Sequence, residues 1–247
     1  MQQSKDNFSA QADAYFKFRP TYPQALYTFL FNLLGERKAA WDCGTGNGQV
    51  AAVLAGEFEQ VFATDISKAQ LQKATQKKNI RYAESRAEAS GLPSHSIDLV
   101  TVAQAIHWFD HDAFYKEVRR VAKPGAWVAA WGYGLLDISP ELNPVVADFY
   151  HNTVGPYWDG ERRHIDLAYR EIPFPFKEVK VPGFSMRVSW TRGQFMGYLS
   201  SWSSVQHYMR QRLSSPLPPL EKQVARYWPD KEVKQVRFPI FMRVGQV

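Results

Sequence analysis

The chain of 247 residues has one cysteine, Cys43, which excludes an internal disulfide and any zinc site built on cysteine. It has no run of about 18 apolar residues, so no membrane-spanning helix and no membrane partner are expected. The opening stretch, MQQSKDNFSA, lacks the apolar core of a secretory signal, and the cytosol is the expected location. Repeats and low-complexity tracts are missing too. The formal net charge is +6, yet Lys and Arg are scattered. Scattered charge argues against nucleic acid and for a basic, solvated surface.

Apolar and aromatic material is plentiful, at 45% and 15% of residues, enough for the core of one large domain. AAWDC ending at Cys43, QVFATDI ending at Ile66, IRYAES from Ile80, IDLVTVA from Ile97 and AWVAAWGY from Ala126 are short apolar runs. Each is closed by polar residues, the pattern of buried parallel strands. Helices are expected between them, over 48–58, 67–77 and 112–122. Ser67 is placed to cap the second, and Lys123-Pro124-Gly125 to stop the third. Upstream, YPQALYTFLFNLLG sets Pro23 for a first helical turn and Gly35 for a stop. This alternation predicts a doubly wound α/β sheet with helices on both faces. After Gly134 the rhythm breaks into an irregular, aromatic stretch, too apolar for a linker and expected to be a folded insertion. Two further strands, FSMRVSW from Phe184 and VRFPIFMRVGQV at the end, bracket an aromatic helix candidate, RGQFMGYLSSWSSV.

Within WDCGTGNGQV, Gly44, Gly46 and Gly48 follow a strand and open a helix. Glycine there allows a tight turn and lets a ligand touch bare backbone. A dinucleotide fingerprint needs glycine where Gln49 stands, and it seats a pyrophosphate on the helix N-terminus. Asp42 would oppose those phosphates, whereas a cationic ligand without phosphate gains from it. S-adenosylmethionine, with its ammonium and sulfonium, meets both conditions. Asp65 ends the second strand, where a carboxylate accepts from both ribose hydroxyls, or alternatively only faces a helix dipole. A dinucleotide enzyme would carry an acid there too.

DCGTGNGQV, FATDIS, AESRAEASGLP, SIDLVTVAQAIHWFD and EVRRVAKPGA, in that order, resemble the class I S-adenosylmethionine-dependent methyltransferases. FSAQADAYFKFRPTYP from Phe8, HWF at His107, YREIPFPF from Tyr169 and FMGYLSSWSSV from Phe195 are similar to the trans-aconitate methyltransferase-like group. The resemblance implies a Rossmann-like, seven-stranded sheet whose last strand is antiparallel. It also implies a single methyltransferase domain over 1–247, with an N-terminal cap at 1–22 and a capping insertion at 135–180. S-adenosyl-L-methionine is then the cofactor and S-adenosyl-L-homocysteine the product. Gly44, Gly46, Gly48 and Asp65 take the roles just given, and Ala87 offers its amide to adenine with Glu88 beside it. Many relatives carry aspartate at the position of Arg86, so either Glu88 substitutes or that contact is absent. Gln104 and Ala105 line the methionine end through their backbone. A small-molecule acceptor, by analogy a carboxylic acid, follows.

Methyl transfer from a sulfonium is an in-line displacement with a neutral leaving group, so alignment and desolvation are the protein's main tasks. A base is needed only where the acceptor must lose a proton. His107, just past the fourth strand, is the candidate, since an ordinary imidazole titrates near neutrality. Alternatively His107 and Trp108 only wall the pocket. Asp110 and Asp112 within HWFDHD read as a helix start rather than metal ligands, and no metal is expected. Tyr15 and Arg19, four apart, share a helical face, where Arg19 would pair with the cofactor carboxylate and Tyr15 close over it. A packed loop is the alternative. Arg162 and Arg163 would meet an acidic substrate, or form a solvated basic turn. Tyr157, Trp158, Tyr169, Phe174, Phe176, Tyr198 and Trp202 suggest a mostly apolar acceptor pocket. Two rival functions stand beside the methyltransferase: a cofactor-binding module without catalysis, and an NAD-dependent oxidoreductase.

Overall fold

Strands covered by helices on both faces are buried along their length and read as near-continuous apolar runs. The computed structural model, which describes residues 20–247, has two such strands at its centre. All five residues of β1 (Ala39–Cys43) are buried, as are all but the last of β4 (Ile97–Ala103). Around them run β2 (Gln60–Asp65), β3 (Ile80–Glu84), β5 (Ala122–Tyr133), β6 (Lys177–Glu178), β7 (Phe184–Thr191) and β8 (Val233–Gln246). The order is β3-β2-β1-β4-β5-β8-β6, with β7 also paired to β8. β1 to β5 are mutually parallel, and β8 is antiparallel to β5. The expected doubly wound sheet with an antiparallel last strand is present. Its eighth strand is the two-residue β6, an addition to the seven expected. β8 is long enough to pair with β5 over 240–246 and with β7 over 233–240.

Alternation inside the strands makes two cores. Ala40 of β1 packs with Leu26 and Leu30 of α1 (Gln24–Leu33) and Val50 and Leu54 of α2 (Gln49–Leu54). Its neighbour Trp41 faces the other way, with Phe114, Val118 and Val121 of α4 (His111–Val121). Asp110 caps α4 by accepting from the Ala113 amide at 3.1 Å, as its sequence position predicts. Ser67 stands at the cap of α3 (Lys68–Gln72), but its side chain makes no capping bond. Lys123-Pro124-Gly125 follows α4 as predicted, yet it already belongs to β5, where Gly125 at φ +77° accompanies a register shift against β4.

The insertion is folded. It contains α5 (Leu142–Asp148), a π turn (Phe149–Thr153), a 3-10 turn (Gly155–Tyr157) and α6 (Arg162–Asp166). The aromatic stretch expected as one helix splits into α7 (Arg192–Ser200) and α8 (Ser203–Arg212). At the break, Ser200 and Ser201 hydroxyls bond back to the Gly197 and Tyr198 carbonyls, at 2.7 and 2.6 Å, competing with the helical ladder. α9 (Leu217–Val224) precedes β8. Among the described residues no helix is long and apolar enough to cross a membrane.

Candidate functional site

The glycine turn leaves β1 with Gly44, Gly46 and Gly48 all at positive φ, of 67°, 55° and 77°. Only glycine takes such angles at no steric cost. The three differ in what lies beside them. A Cβ on Gly44 would sit 2.5 Å from Ala105 Cβ, and one on Gly48 would strike the Tyr82 hydroxyl. Among the described residues, a Cβ on Gly46 would meet nothing nearer than Gln70 Oε1 at 3.9 Å. Gly44 and Gly48 therefore let the chain pack on itself, and Gly46 is the one with open space in front of it.

Asp42 lies beneath this turn, 1% exposed. Its Oδ2 accepts from Thr45 Oγ1 at 2.5 Å and the Ala51 amide at 3.1 Å, and its Oδ1 from Thr101 Oγ1 at 2.9 Å. Burial pushes its carboxyl up to about 6, against the pull of those hydrogen bonds. The charge expected to face a ligand is thus largely spent on holding the turn together. Thr101 was legible only as a polar break in an apolar strand, and Thr45 carried no signal. Asp42, Tyr22, Thr45, Gly46, Asn47 and Gln49 line a cleft of about 290 Å³, open solvent at its mouth included. Gln49 Oε1 is buried with no partner among the described residues.

Asp65, at the end of β2, accepts from the Gly46 amide at 2.8 Å through Oδ2 and from the Ser67 amide at 2.9 Å through Oδ1. After β3, Ala87 is buried. Glu88 accepts from the Asp110 amide at 2.9 Å through Oε1, while Arg86 Nε donates to its Oε2 at 3.2 Å. Both Glu88 oxygens are thus engaged inside the protein. Past β4, Gln104 has left-handed backbone at φ +57°, and its amide donates to the Trp131 carbonyl at 2.8 Å. Its Nε2 donates to the Tyr133 carbonyl at 3.0 Å, leaving a buried Oε1 without a partner among the described residues. Ala105 packs against Gly44.

A second cleft opens on the other side of Gln104, about 930 Å³ with its open mouth included. Tyr133 lines it from β5, His107 and Trp108 from the turn after β4, Trp158, Arg162 and Ile165 from the insertion, and Tyr198 and Trp202 from the α7–α8 region. Ala103 lines the first cleft and Gln104 the second, so the two meet at the end of β4. Phe174 and Phe176 belong to the core instead, packed on Tyr115, and Tyr157 pairs with Tyr208.

His107 is 9% exposed, in a 3-10 turn, with Nδ1 3.2 Å from the Tyr169 hydroxyl. Burial above all, then the nearby Arg162, His164 and His111, push its imidazole down to about 3. The near-neutral titration expected from the sequence is overturned: this ring is uncharged at pH 7 and a weak proton acceptor. Tyr169 is held there by two successive left-handed residues, Ala168 at φ +51° and Tyr169 at φ +59°. His111 Nε2 turns to the Ile106 carbonyl at 3.0 Å, so the two histidines have separate partners. Among the described residues no group of three or more His, Cys, Asp and Glu side chains could hold a metal ion.

The paired arginines part company. Arg162 lines the cleft, whereas Arg163 is exposed and lies outside it. Tyr15 and Arg19 fall outside the described residues. Tyr133, Ile165 and the serines around Trp202 gave no sequence signal for a site, because only the fold brings them to the end of β4.

Residues 41–130 match the family described as methyltransferase domain. A Dictyostelium discoideum protein named as a methyltransferase is 33% identical, across 96% of this chain and 93% of its own length. A methyltransferase of Aspergillus candidus is 36% identical over 69% of this chain and 63% of its own. The structure of a type II methyltransferase from Anaeromyxobacter dehalogenans aligns with TM-score 0.87 at 40% identity, covering 93% of this chain and 98% of that one. With this turn, this sheet order and these relatives, the chain belongs to the class I S-adenosylmethionine-dependent methyltransferases, and S-adenosyl-L-methionine is its cofactor.

Proposed function

We propose that the glycine-turn cleft takes the cofactor and that the aromatic cleft beside it takes a small carboxylic acid, whose oxygen receives the methyl group. When bound, the cofactor supplies an electrophilic methyl group on a sulfonium. The residues suit it: the space before Gly46 admits a ligand against bare backbone, and Gln49 Oε1 is a buried acceptor in want of a donor. Asp65, at the end of β2, would accept from the ribose hydroxyls, as Ala87 and Glu88 would flank the adenine. Gln104 and Ala105 would edge the methionine end. Asp42 would act from beneath, through its charge and its grip on the turn.

The observation that carries the acceptor class is Arg162. It lines the aromatic cleft, and neither Nη1 nor Nη2 makes a hydrogen bond among the described residues. A guanidinium fork in a mostly aromatic wall suits a carboxylate, and Asp159, the acid on the same lining, is engaged in an interaction of its own. A carboxylate is ionised at neutral pH and needs no base, which agrees with an imidazole as low as that of His107. His107 and Trp108 then serve as wall, excluding water from the reacting atoms. The insertion at 135–180 would act as a cap, since it supplies Trp158, Arg162 and Ile165 to the cleft. The resemblance to the trans-aconitate methyltransferase-like group supports the same acceptor class.

Transfer of labelled methyl from S-adenosylmethionine to a panel of carboxylic acids, phenols and amines tests this. Methyl esters are expected. Transfer confined to phenols or amines would overturn the proposal.

A further inference from the structure

An arginine carries its charge at every accessible pH, and what it binds depends on which of its five N–H groups are already taken. Arg162 Nε donates to the Tyr150 hydroxyl at 2.7 Å, and that hydroxyl donates to Asp166 Oδ1 at 2.5 Å. The guanidinium carbon lies 4.4 Å from the Trp158 ring centroid and 5.3 Å from that of Tyr150. Asp166 comes no closer to the cation than 3.9 Å, on the Nε side, and its own side chain is 42% exposed. The ion pair is therefore incomplete. Trp158, part of the same wall, has its indole N–H buried without a partner among the described residues. Tyr150 itself sits in the π turn after α5, a wide turn that recurs at functional sites.

We infer that Tyr150 is the positioning residue of an anion fork: it occupies Arg162 Nε, keeps Asp166 off the guanidinium, and leaves Nη1 and Nη2 to grip the acceptor's carboxylate. This rests on the carboxylic-acid acceptor proposed above. Two parallel N–H donors match the two oxygens of a carboxylate, and the Trp158 ring under the guanidinium helps to hold it in place. Without the Tyr150 hydroxyl, Asp166 can swing in and close the ion pair, so an internal carboxylate takes the place meant for the ligand. Lysine cannot stand in for Arg162, because it has neither the fork nor the flat face.

The test is calorimetry on the enzyme saturated with S-adenosylhomocysteine, titrated with carboxylates and their matched primary amides. Benzoate with benzamide, phenylacetate with phenylacetamide, cinnamate with cinnamamide and decanoate with decanamide serve as probes. At least one carboxylate should bind about tenfold or more tightly than its amide, the scale of one charged hydrogen bond. Tyr150→Phe should erase most of that preference while S-adenosylhomocysteine affinity holds, and Arg162→Lys should erase it too. In the Arg162→Lys background, Tyr150→Phe should change nothing further, since its effect passes through the fork. A mere packing role for Tyr150 would weaken acid and amide alike, in either background. Equal losses for both ligands, additive variants, or an Arg162→Lys protein that keeps the preference would overturn the positioning role alone. If no carboxylate is preferred to its amide, the acceptor proposal falls with it. Should Tyr150→Phe fail to fold, Tyr150→Met, which also removes the hydroxyl, takes its place with the same readings, and Arg162→Lys alters only a partly exposed side chain.

Discussion

The Gly46 amide donates to Asp65 Oδ2 at 2.8 Å, tying the glycine turn after β1 to the end of β2. The other oxygen, Oδ1, holds the Ser67 amide at the start of α3. One carboxylate thus sets the spacing of two neighbouring strand ends, and it does so beside the only one of the three glycines that faces open space. The geometry of the turn and its capacity to accept a ligand depend on the same side chain.

Asp65→Ala is therefore expected to cost both stability and cofactor affinity. Hydrogen bonds to a charged group contribute about 1.5–3 kcal/mol each, so S-adenosylhomocysteine should bind at least about tenfold more weakly. Calorimetry with a thermal melt separates the two losses. Unchanged affinity in a folded variant would reduce Asp65 to a helix-end carboxylate.

The three glycines should not respond alike to alanine. Each substitution forces a left-handed residue, at about 1–2 kcal/mol. Gly44→Ala and Gly48→Ala add a collision, with Ala105 and with Tyr82, and should unfold at clearly lower denaturant than Gly46→Ala. Gly46→Ala should lose cofactor affinity while remaining the most stable of the three. Denaturant titrations that rank Gly46→Ala lowest would contradict the assignment.

His107 should leave its mark on stability rather than on the pH profile of turnover. Its folded pKa of about 3 lies below the ordinary 6.5, so between those values the unfolded chain binds a proton that the native chain refuses. Its contribution is complete above pH 6.5 and declines as pH falls toward 3. From pH 8 to pH 5 the wild type should lose about 2 kcal/mol more than His107→Gln, measured by denaturant unfolding. Equal losses would show that the ring titrates normally. Turnover of His107→Gln should show no new inflection near pH 6.5, whereas a large pH-dependent defect with intact cofactor binding would make His107 the base.

Arg162 and Arg163 give the sharpest contrast between neighbours. Arg162→Ala should raise the acceptor KM about tenfold or more, and Arg163→Ala, at an exposed position outside the cleft, should leave it unaltered. Steady-state kinetics on any accepted acid decides this. Equal effects would point to long-range charge rather than a built contact.

The strands and the glycine turn were legible in the chain because local physics decides both. A strand buried on two faces reads as a near-continuous apolar run, which β1 and β4 are apart from Asp42, Asp98 and Thr101. A backbone at positive φ all but demands glycine, and three stand together after β1. Asp110 announced its helix in the same way, since a cap needs only its own next three residues. The single aromatic helix failed because two serine hydroxyls compete for its carbonyls, a contest that composition alone does not resolve.

Sequence by itself therefore determined the doubly wound sheet, the position of the turn and the acid at the end of β2, because each follows from neighbours along the chain. Only the tertiary structure decided which glycine has space beside it, since Ala105, past β4, reaches Gly44 and Tyr82 of β3 reaches Gly48. It alone decided that Asp42 braces the turn, through Thr101 of β4, and that His107 is too buried to titrate near neutrality. It also separated Arg162 from Arg163. Adjacent residues on a helix point in different directions, and the side on which Trp158 and Tyr150 wait is set by how the insertion folds back on the sheet.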